Sequence, residues 1–297
     1  MIIENQQQLT DAVLDVMGRT PDPRLREVMT ALVRHLHGFI RDVRLTEAEF
    51  QAAIGFLVAL GQETTDTHNE AVLMAGSLGA SALVCLLNNG RDGARETDAN
   101  LLGPFWRLNS PRTENGGSIL RSPTPGPALF VTGKVSDESG HPVADAEVDV
   151  WHASPVGLYE NQDPDQADMN LRGKFTTDAD GVFNFRTIKP AGYPIPTGGT
   201  VGKLLAAQGR HPYRPAHLHT LIFKPGYKTL VSQIYVNDDP ILDNDAQFGV
   251  TRRLVGNYVR HVDAPAPAAD VSGEWYSLDH HFVIEAGEAK LPRPPIR

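Results

Sequence analysis

The stretch Arg214-Pro215-Ala216-His217-Leu218-His219, followed by Thr220 and the apolar run Leu221-Ile222-Phe223, is where the chain declares its architecture. Residues 217–223 read as a β-strand. Side chains alternate along a strand, so His217 and His219 point to one face and both imidazoles can reach one ion. Upstream stand two tyrosines in rigid settings. Tyr159 follows Trp151-His152-Ala153-Ser154-Pro155-Val156-Gly157-Leu158, and Tyr193 lies within Pro190-Ala191-Gly192-Tyr193-Pro194-Ile195-Pro196. Proline and glycine fix the backbone there, and aiming one side chain at a fixed point requires that rigidity. By spacing alone the histidine pair suits a structural role or a zinc site as well as any rarer metal.

Working outward, short β-prone runs separated by Gly, Pro, Asp and Asn begin after Gly103-Pro104-Phe105-Trp106. They cover residues 129–135, 147–151, 182–186, 217–223, 230–236 and 282–285. Asp137-Glu138-Ser139-Gly140 and Asp178-Ala179-Asp180-Gly181 are turn sequences between them. This spacing predicts an all-β sandwich, with a site built on the long excursions 161–172 and 198–212. Asp163, Asp165 and Asp168 lack the glycine and final glutamate of a calcium loop. His280 and His281 are adjacent and face opposite sides of a strand. His152 reads as a packing residue or a hydrogen-bond support.

The first part of the chain is helical. Leu25, Val28, Met29, Leu32, Val33, Leu36, Phe39, Ile40 and Val43 fall at steps of three and four, which makes one apolar stripe over residues 22–43. Thr46-Glu47-Ala48-Glu49 reads as a capping box opening a second helix, with Phe50, Ala53, Ile54, Leu57 and Val58 inward and Gly61 near its end. A third helical run over residues 66–89, rich in small and apolar residues, is expected to be the more buried and to end at Asn88-Asn89-Gly90. His35, His37 and His68 read as surface or packing residues. The expected fold is therefore α+β, an N-terminal helical domain over residues 1–105 and a β-sandwich over residues 106–297.

With 297 residues, 41% of them apolar, the chain can bury an ordinary core. Its net charge of −9 argues against a nucleic-acid partner, since phosphate binding needs a basic face. The single cysteine, Cys85, cannot form an internal disulfide and reads as a small buried hydrophobe in a reducing compartment. No export signal or membrane-length apolar run is visible, so the expected location is cytoplasmic. Residues 291–297, with three prolines, read as an extended terminus.

Taken together, Tyr159, Tyr193, His217 and His219, with Arg214 in the Arg-Pro-Ala-His-Leu-His run, resemble the iron-binding signature of the intradiol ring-cleaving dioxygenases. The resemblance spans about residues 102–262. It implies one Fe(III) per chain held by two tyrosines and two histidines, with a catechol-type diol and O2 as substrates. Hard phenolate oxygens suit a trivalent ion, and such an ion deprotonates its own ligands. The resemblance further implies that Tyr193 is the ligand that leaves and accepts a substrate proton, while Arg214 and Gln233 stabilise developing charge.

By position in the matched segments, the pocket wall comprises Leu73, Gly76, Leu101, Gly103, Pro104, Phe105, Ile195 and Pro196, with Arg214. Tyr193-Pro194-Ile195-Pro196, Gly209-Arg210-His211-Pro212-Tyr213-Arg214-Pro215 and Gln247-Phe248-Gly249-Val250 look more like the hydroxyquinol 1,2-dioxygenase branch than the plain catechol branch, and its product is a hydroxymuconate tautomeric with maleylacetate. Met74-Ala75-Gly76-Ser77 lacks the acidic residue common there, which keeps catechol or chlorocatechol cleavage as the alternative. The resemblance also implies a homodimer through the N-terminal helices and an apolar groove at its seam able to retain a phospholipid. The competing readings are a non-catalytic β-sandwich binding module and a hydrolytic zinc enzyme using His217 and His219.

Overall fold

A computed structural model describes residues 2–88 and 95–296 of the chain. The chain falls into two compact units, one ending at Ala59 and the other starting at Leu60.

The first unit begins with α1 (Gln6–Gly18) and α2 (Pro23–Val43) and runs into α3 (Glu47–Glu63). Each start has a local cause. Asn5 Oδ1 accepts from Gln8 N at 2.9 Å, and Asp22 Oδ1 accepts from Leu25 N at 2.6 Å with Pro23 at the first helical position. The capping box at α3 is present: Thr46 N donates to Glu49 Oε2 at 2.8 Å and Glu49 N to Thr46 Oγ1 at 3.3 Å. Helix α1 was not legible from periodicity; it docks on α2 through Thr10 Oγ1, which meets His37 Nδ1 at 2.9 Å and accepts from Arg41 Nη1 at 2.8 Å.

The α2 stripe forms, but it is not covered. Leu32, Leu36 and Phe39 remain about half exposed, and α2 has no buried residue. Phe50, Ile54, Leu57 and Val58 of α3, expected inward, are likewise exposed. Periodicity shows that a stripe exists, and not which molecule covers it.

The expected third helix is two helices, α4 (Glu70–Ser77) and α5 (Ala80–Asn88), bent by 73°. The break falls at Leu78-Gly79, where Gly79 takes φ +72°, a left-handed conformation that continues no right-handed helix. The run is the more buried one through α4, where Glu70, Leu73, Gly76 and Ser77 are buried, whereas α5 has no buried residue and Leu83, Val84 and Leu87 are exposed. The expected stop at Asn89-Gly90 lies outside the described residues. No single helix among the described residues is long and apolar enough to cross a membrane.

The rest of the second unit is the expected sandwich. Its strands are β1 (Ala128–Asp137), β2 (Glu147–Trp151), β3 (Arg172–Thr176), β4 (Val182–Ile188), β5 (Tyr193–Pro194), β6 (Tyr213–Arg214), β7 (His217–Phe223), β8 (Leu230–Val236), β9 (Val255–Gly256), β10 (Tyr258–His261) and β11 (Trp275–Ile284). A further helix, α6 (Thr200–Ala207), lies between β5 and β6. One sheet has the order β10-β11-β1-β4, the other β3-β2-β7-β8-β9, and β5 pairs with β6.

Alternation divides the five-stranded sheet into two faces. Val148 and Val150 of β2, Leu218 and Ile222 of β7, and Ile234 and Val236 of β8 join Leu129, Val131, Phe183, Phe185, Leu278 and Phe282 of the other sheet in the inter-sheet core. The opposite face carries Trp151, His217, His219, Gln233 and Tyr235. There a second cluster of Phe105, Trp106, Trp151, Tyr159, Tyr193, Leu221 and Ile296 closes over the sheet.

Candidate metal centre

Strand register assembles the base of the site. Trp151 of β2 pairs with His219 of β7, which pairs with Gln233 of β8; His217 pairs with Tyr235. These side chains share a face because each strand contributes residues two apart. Tyr193 arrives differently, as the cross-strand partner of Arg214 in the β5–β6 pair. Gly157, at φ +83°, lets the chain before Tyr159 pass close to Tyr193: a β-carbon there would stand 2.8 Å from Tyr193 Cβ.

The four residues expected as ligands converge. The phenol oxygens of Tyr159 and Tyr193 are 3.2 Å apart, and the Nε2 atoms of His217 and His219 are also 3.2 Å apart. Ring centroids close the circuit, with 5.6 Å between Tyr193 and His217 and 6.5 Å between Tyr159 and His219. All four side chains are buried.

The donor set fits a small, highly charged cation. Atoms about 2.1 Å from one ion stand about 3.0 to 3.4 Å apart, which is the spacing of both like pairs here. The Pro215 carbonyl can only accept, so His217 Nδ1, 2.7 Å away, carries the proton and Nε2 presents its lone pair. Burial lowers the proton affinity of both imidazoles: His217 is pushed down to about 3, with Arg214 adding to the effect, and His219 falls well below its ordinary value. Both are neutral nitrogen donors at pH 7. The phenols move the other way, since burial raises Tyr159 well above its ordinary value and raises Tyr193 as well. Only a strong neighbouring positive charge makes them phenolates. Among the described residues no group of three or more His, Cys, Asp or Glu converges, so a zinc site of that make-up does not form around the histidine pair.

Arg214 is the other fixed charge, almost fully buried. Its Nε and Nη2 each donate to the Asp245 carboxylate at 3.0 Å, Nη2 also reaches Gln233 Oε1 at 3.0 Å and Tyr235 OH at 2.9 Å, and Nη1 lies 3.3 Å from His217 Nε2. Burial alone would raise the Asp245 carboxyl, but Arg214 beside it prevails and holds it below the usual range. Gln233 is locked at its other end, where Nε2 donates to Leu101 O at 2.7 Å.

A cavity of about 760 Å³ is lined by Gly76, Leu101 and Gly103, with Leu102, Gln247 and Ile296 among its other walls. Gly103 adjoins the centre: a β-carbon there would stand 3.3 Å from His219 Cε1. Phe105 stacks on Tyr159 with centroids 4.5 Å apart. Leu73, Pro104 and Ile195 are buried and Pro196 half-buried, but none of the four lines this cavity.

His152 is a supporting residue, bonded through Nδ1 to Ala153 O at 2.8 Å and through Nε2 to Thr187 Oγ1 at 2.7 Å. Sequence reading missed Tyr235, Asp245 and Ile296. Tyr235 was recoverable, being two residues from Gln233 on one strand; Asp245 sits in a loop without periodicity. Ile296, in the segment taken for a plain terminus, is buried in the aromatic cluster.

Comparison with known proteins gives consistent matches. Residues 102–278 match the family model described as Dioxygenase, and residues 22–96 the model described as Catechol dioxygenase N terminus. The chain is 42% identical to a hydroxyquinol 1,2-dioxygenase of Nocardioides simplex over 94% of this chain and 95% of that one. It is 41% identical to a 6-chlorohydroxyquinol 1,2-dioxygenase of Cupriavidus pinatubonensis over 94% and 97%. The crystal structure of hydroxyquinol 1,2-dioxygenase from Pseudomonas putida DLL-E4 superposes with a TM-score of 0.85 at 40% identity, covering 95% of this chain and 99% of that one.

Proposed function

This chain belongs to the intradiol ring-cleaving dioxygenases, and from that premise we propose that it is a hydroxyquinol 1,2-dioxygenase. It takes benzene-1,2,4-triol and O2, opens the ring between the adjacent hydroxylated carbons and places both oxygen atoms in a hydroxymuconate, the tautomer of maleylacetate. The relatives' names support that substrate class. The observation that carries the reading is the convergence of two phenol oxygens and two imidazole nitrogens, each pair 3.2 Å apart.

Tyr159, Tyr193, His217 and His219 would hold one Fe(III) per chain, whose chemistry when bound is to draw electron density from a chelated catecholate and make a ring carbon reactive toward O2. The chain's own residues do the rest. Tyr193 is the base for a diol proton, because burial makes its phenolate strongly basic. Arg214, immobilised by Asp245, holds its guanidinium beside His217 where negative charge develops. Gln233, fixed between Leu101 O and Arg214, presents an amide that needs no reorientation during the reaction. Phe105, Leu101 and Gly103 keep the surroundings apolar, which strengthens each of these charge interactions.

Residues 1–105 serve as the dimerisation and linker domain in this proposal and residues 106–297 as the catalytic domain. The half-exposed stripe of Leu32, Leu36 and Phe39 supports a homodimer, and its apolar character supports retention of a phospholipid chain at the seam. A single cysteine suits a cytoplasmic location.

The test is oxygen uptake by iron-loaded protein given the triol, catechol and chlorocatechols. One O2 consumed per triol, with the triol preferred, supports the proposal. Faster turnover of catechol hands the site to the catechol reading, and turnover of none contradicts both.

A further inference from the structure

Residues 291–296 leave the sandwich and run to the metal centre. Lys290 N donates to Thr229 Oγ1 at 3.1 Å, and beyond it, from Leu291 to Ile296, no hydrogen bond forms among the described residues. Pro292, Pro294 and Pro295 have no N–H to donate, so this run is held by packing alone. Leu291 and Arg293 are exposed and the three prolines half-buried. Ile296 is the exception: only 3% exposed, it packs in one cluster with Phe105, Trp106, Trp151, Tyr159, Tyr193 and Leu221.

The same segment is a thin wall between two spaces. Arg293, Pro294 and Ile296 line the cavity of about 760 Å³ that reaches Gly103, beside His219, and they also line a second cavity of about 400 Å³ bounded by Arg107, Leu108, Asn109 and Met169. These three are the lining residues that the two cavities share. Lifting the segment therefore joins the cavities and opens a passage past Ile296 toward Tyr159 and Tyr193. Closure depends on one side chain. Burying an isoleucine weights the closed form by about ten- to hundred-fold, enough to keep the centre covered at rest and little enough to be undone within a catalytic cycle.

We propose that residues 291–296 are a hinged strap, anchored at Lys290 and latched by Ile296, which opens to pass an aromatic diol in and its ring-opened product out and closes to exclude water from the phenol pair. What passes the strap rests on the dioxygenase reading above, whereas the latch is a property of the apolar cluster itself. A passage gated in this way limits the rates of entry and exit together, because both require the same isoleucine to leave its seat.

The test compares the wild type with Ile296→Ser, with the pair Pro294→Gly and Pro295→Gly, and with a variant from which residues 292–297 are deleted. In iron-free protein, acrylamide quenching of tryptophan fluorescence is expected to rise in Ile296→Ser and in the deletion, since Trp106 and Trp151 lie in the latched cluster. In iron-loaded protein kept free of oxygen, catechol binding is followed by stopped flow through the charge-transfer band. Association and dissociation rates are both expected to rise about five-fold or more in those two variants, with Kd changed by less than either rate. The double glycine variant keeps the latch and loosens only the run, so its rates are expected to rise less, and they decide alone if the other two variants fail to fold. Unchanged rates in the folded variants, or weaker binding through dissociation alone, would overturn the strap. A wild type that holds iron and binds no catechol would instead remove the dioxygenase reading, and the quenching then judges the latch by itself, with no rise overturning it.

Discussion

The indole of Trp151 lies flat against the imidazole of His219, with ring centroids 4.6 Å apart and planes within 8°. Their pairing across β2 and β7 makes this stack a product of strand register. It fixes the plane of His219, whose Nδ1 has no hydrogen-bond partner among the described residues to do so. Trp151→Ala is expected to lose about 3–5 kcal/mol of stability and to bind iron less tightly. Urea unfolding and iron analysis after dialysis against a chelator check both outcomes.

Arg214 and Asp245 form a doubly bonded, buried ion pair. Asp245→Asn would leave the guanidinium without its anion, at a cost of about 3–5 kcal/mol. It also frees Arg214 to swing from His217, so kcat is expected to fall with iron content preserved. Stopped-flow kinetics alongside metal analysis separates that outcome from simple unfolding.

Acid should weaken the fold. Burial pushes His217 down to about 3 and His152 and His280 to about 4, and holds His219 well below its ordinary value. Each binds a proton more readily when unfolded, near about 6.5. Stability from these groups is therefore complete above that value and is lost as pH falls toward their folded values. Asp149, raised by burial to about 6, acts in the opposite direction. With four groups against one, stability is expected to be lower at pH 5 than at pH 7, each group contributing up to about 1.4 kcal/mol per pH unit. Equal urea midpoints at the two pH values would contradict this.

The α2 stripe leads to a prediction about assembly. Phe39, half exposed in the midst of Leu32 and Leu36, belongs in the proposed dimer contact. Phe39→Glu is expected to shift the protein toward monomer in sedimentation at a fixed concentration. A monomeric wild type would remove the basis of the dimer proposal.

Much of the sandwich was legible because β2, β7 and β8 alternate and are bounded by turn residues. β3 escaped because Arg172-Gly173-Lys174-Phe175-Thr176 carries charges and a glycine in a position that burial and pairing alone justify. The α4–α5 break escaped because the apolar period runs through Gly79, where only the backbone angle shows the turn. Tyr159, Tyr193, His217 and His219 were visible through motif and spacing. Asp245 and Gln247 were not visible as site residues, since a loop places its side chains by contacts that no periodicity encodes.

The central claim is tested most directly by the visible spectrum of purified protein loaded with iron and assayed for metal. Convergence of Tyr159 and Tyr193 on Fe(III) predicts one iron per chain and a red-brown charge-transfer band that changes in Tyr193→Phe. A colourless protein with iron bound, or a band indifferent to Tyr193→Phe, would contradict it.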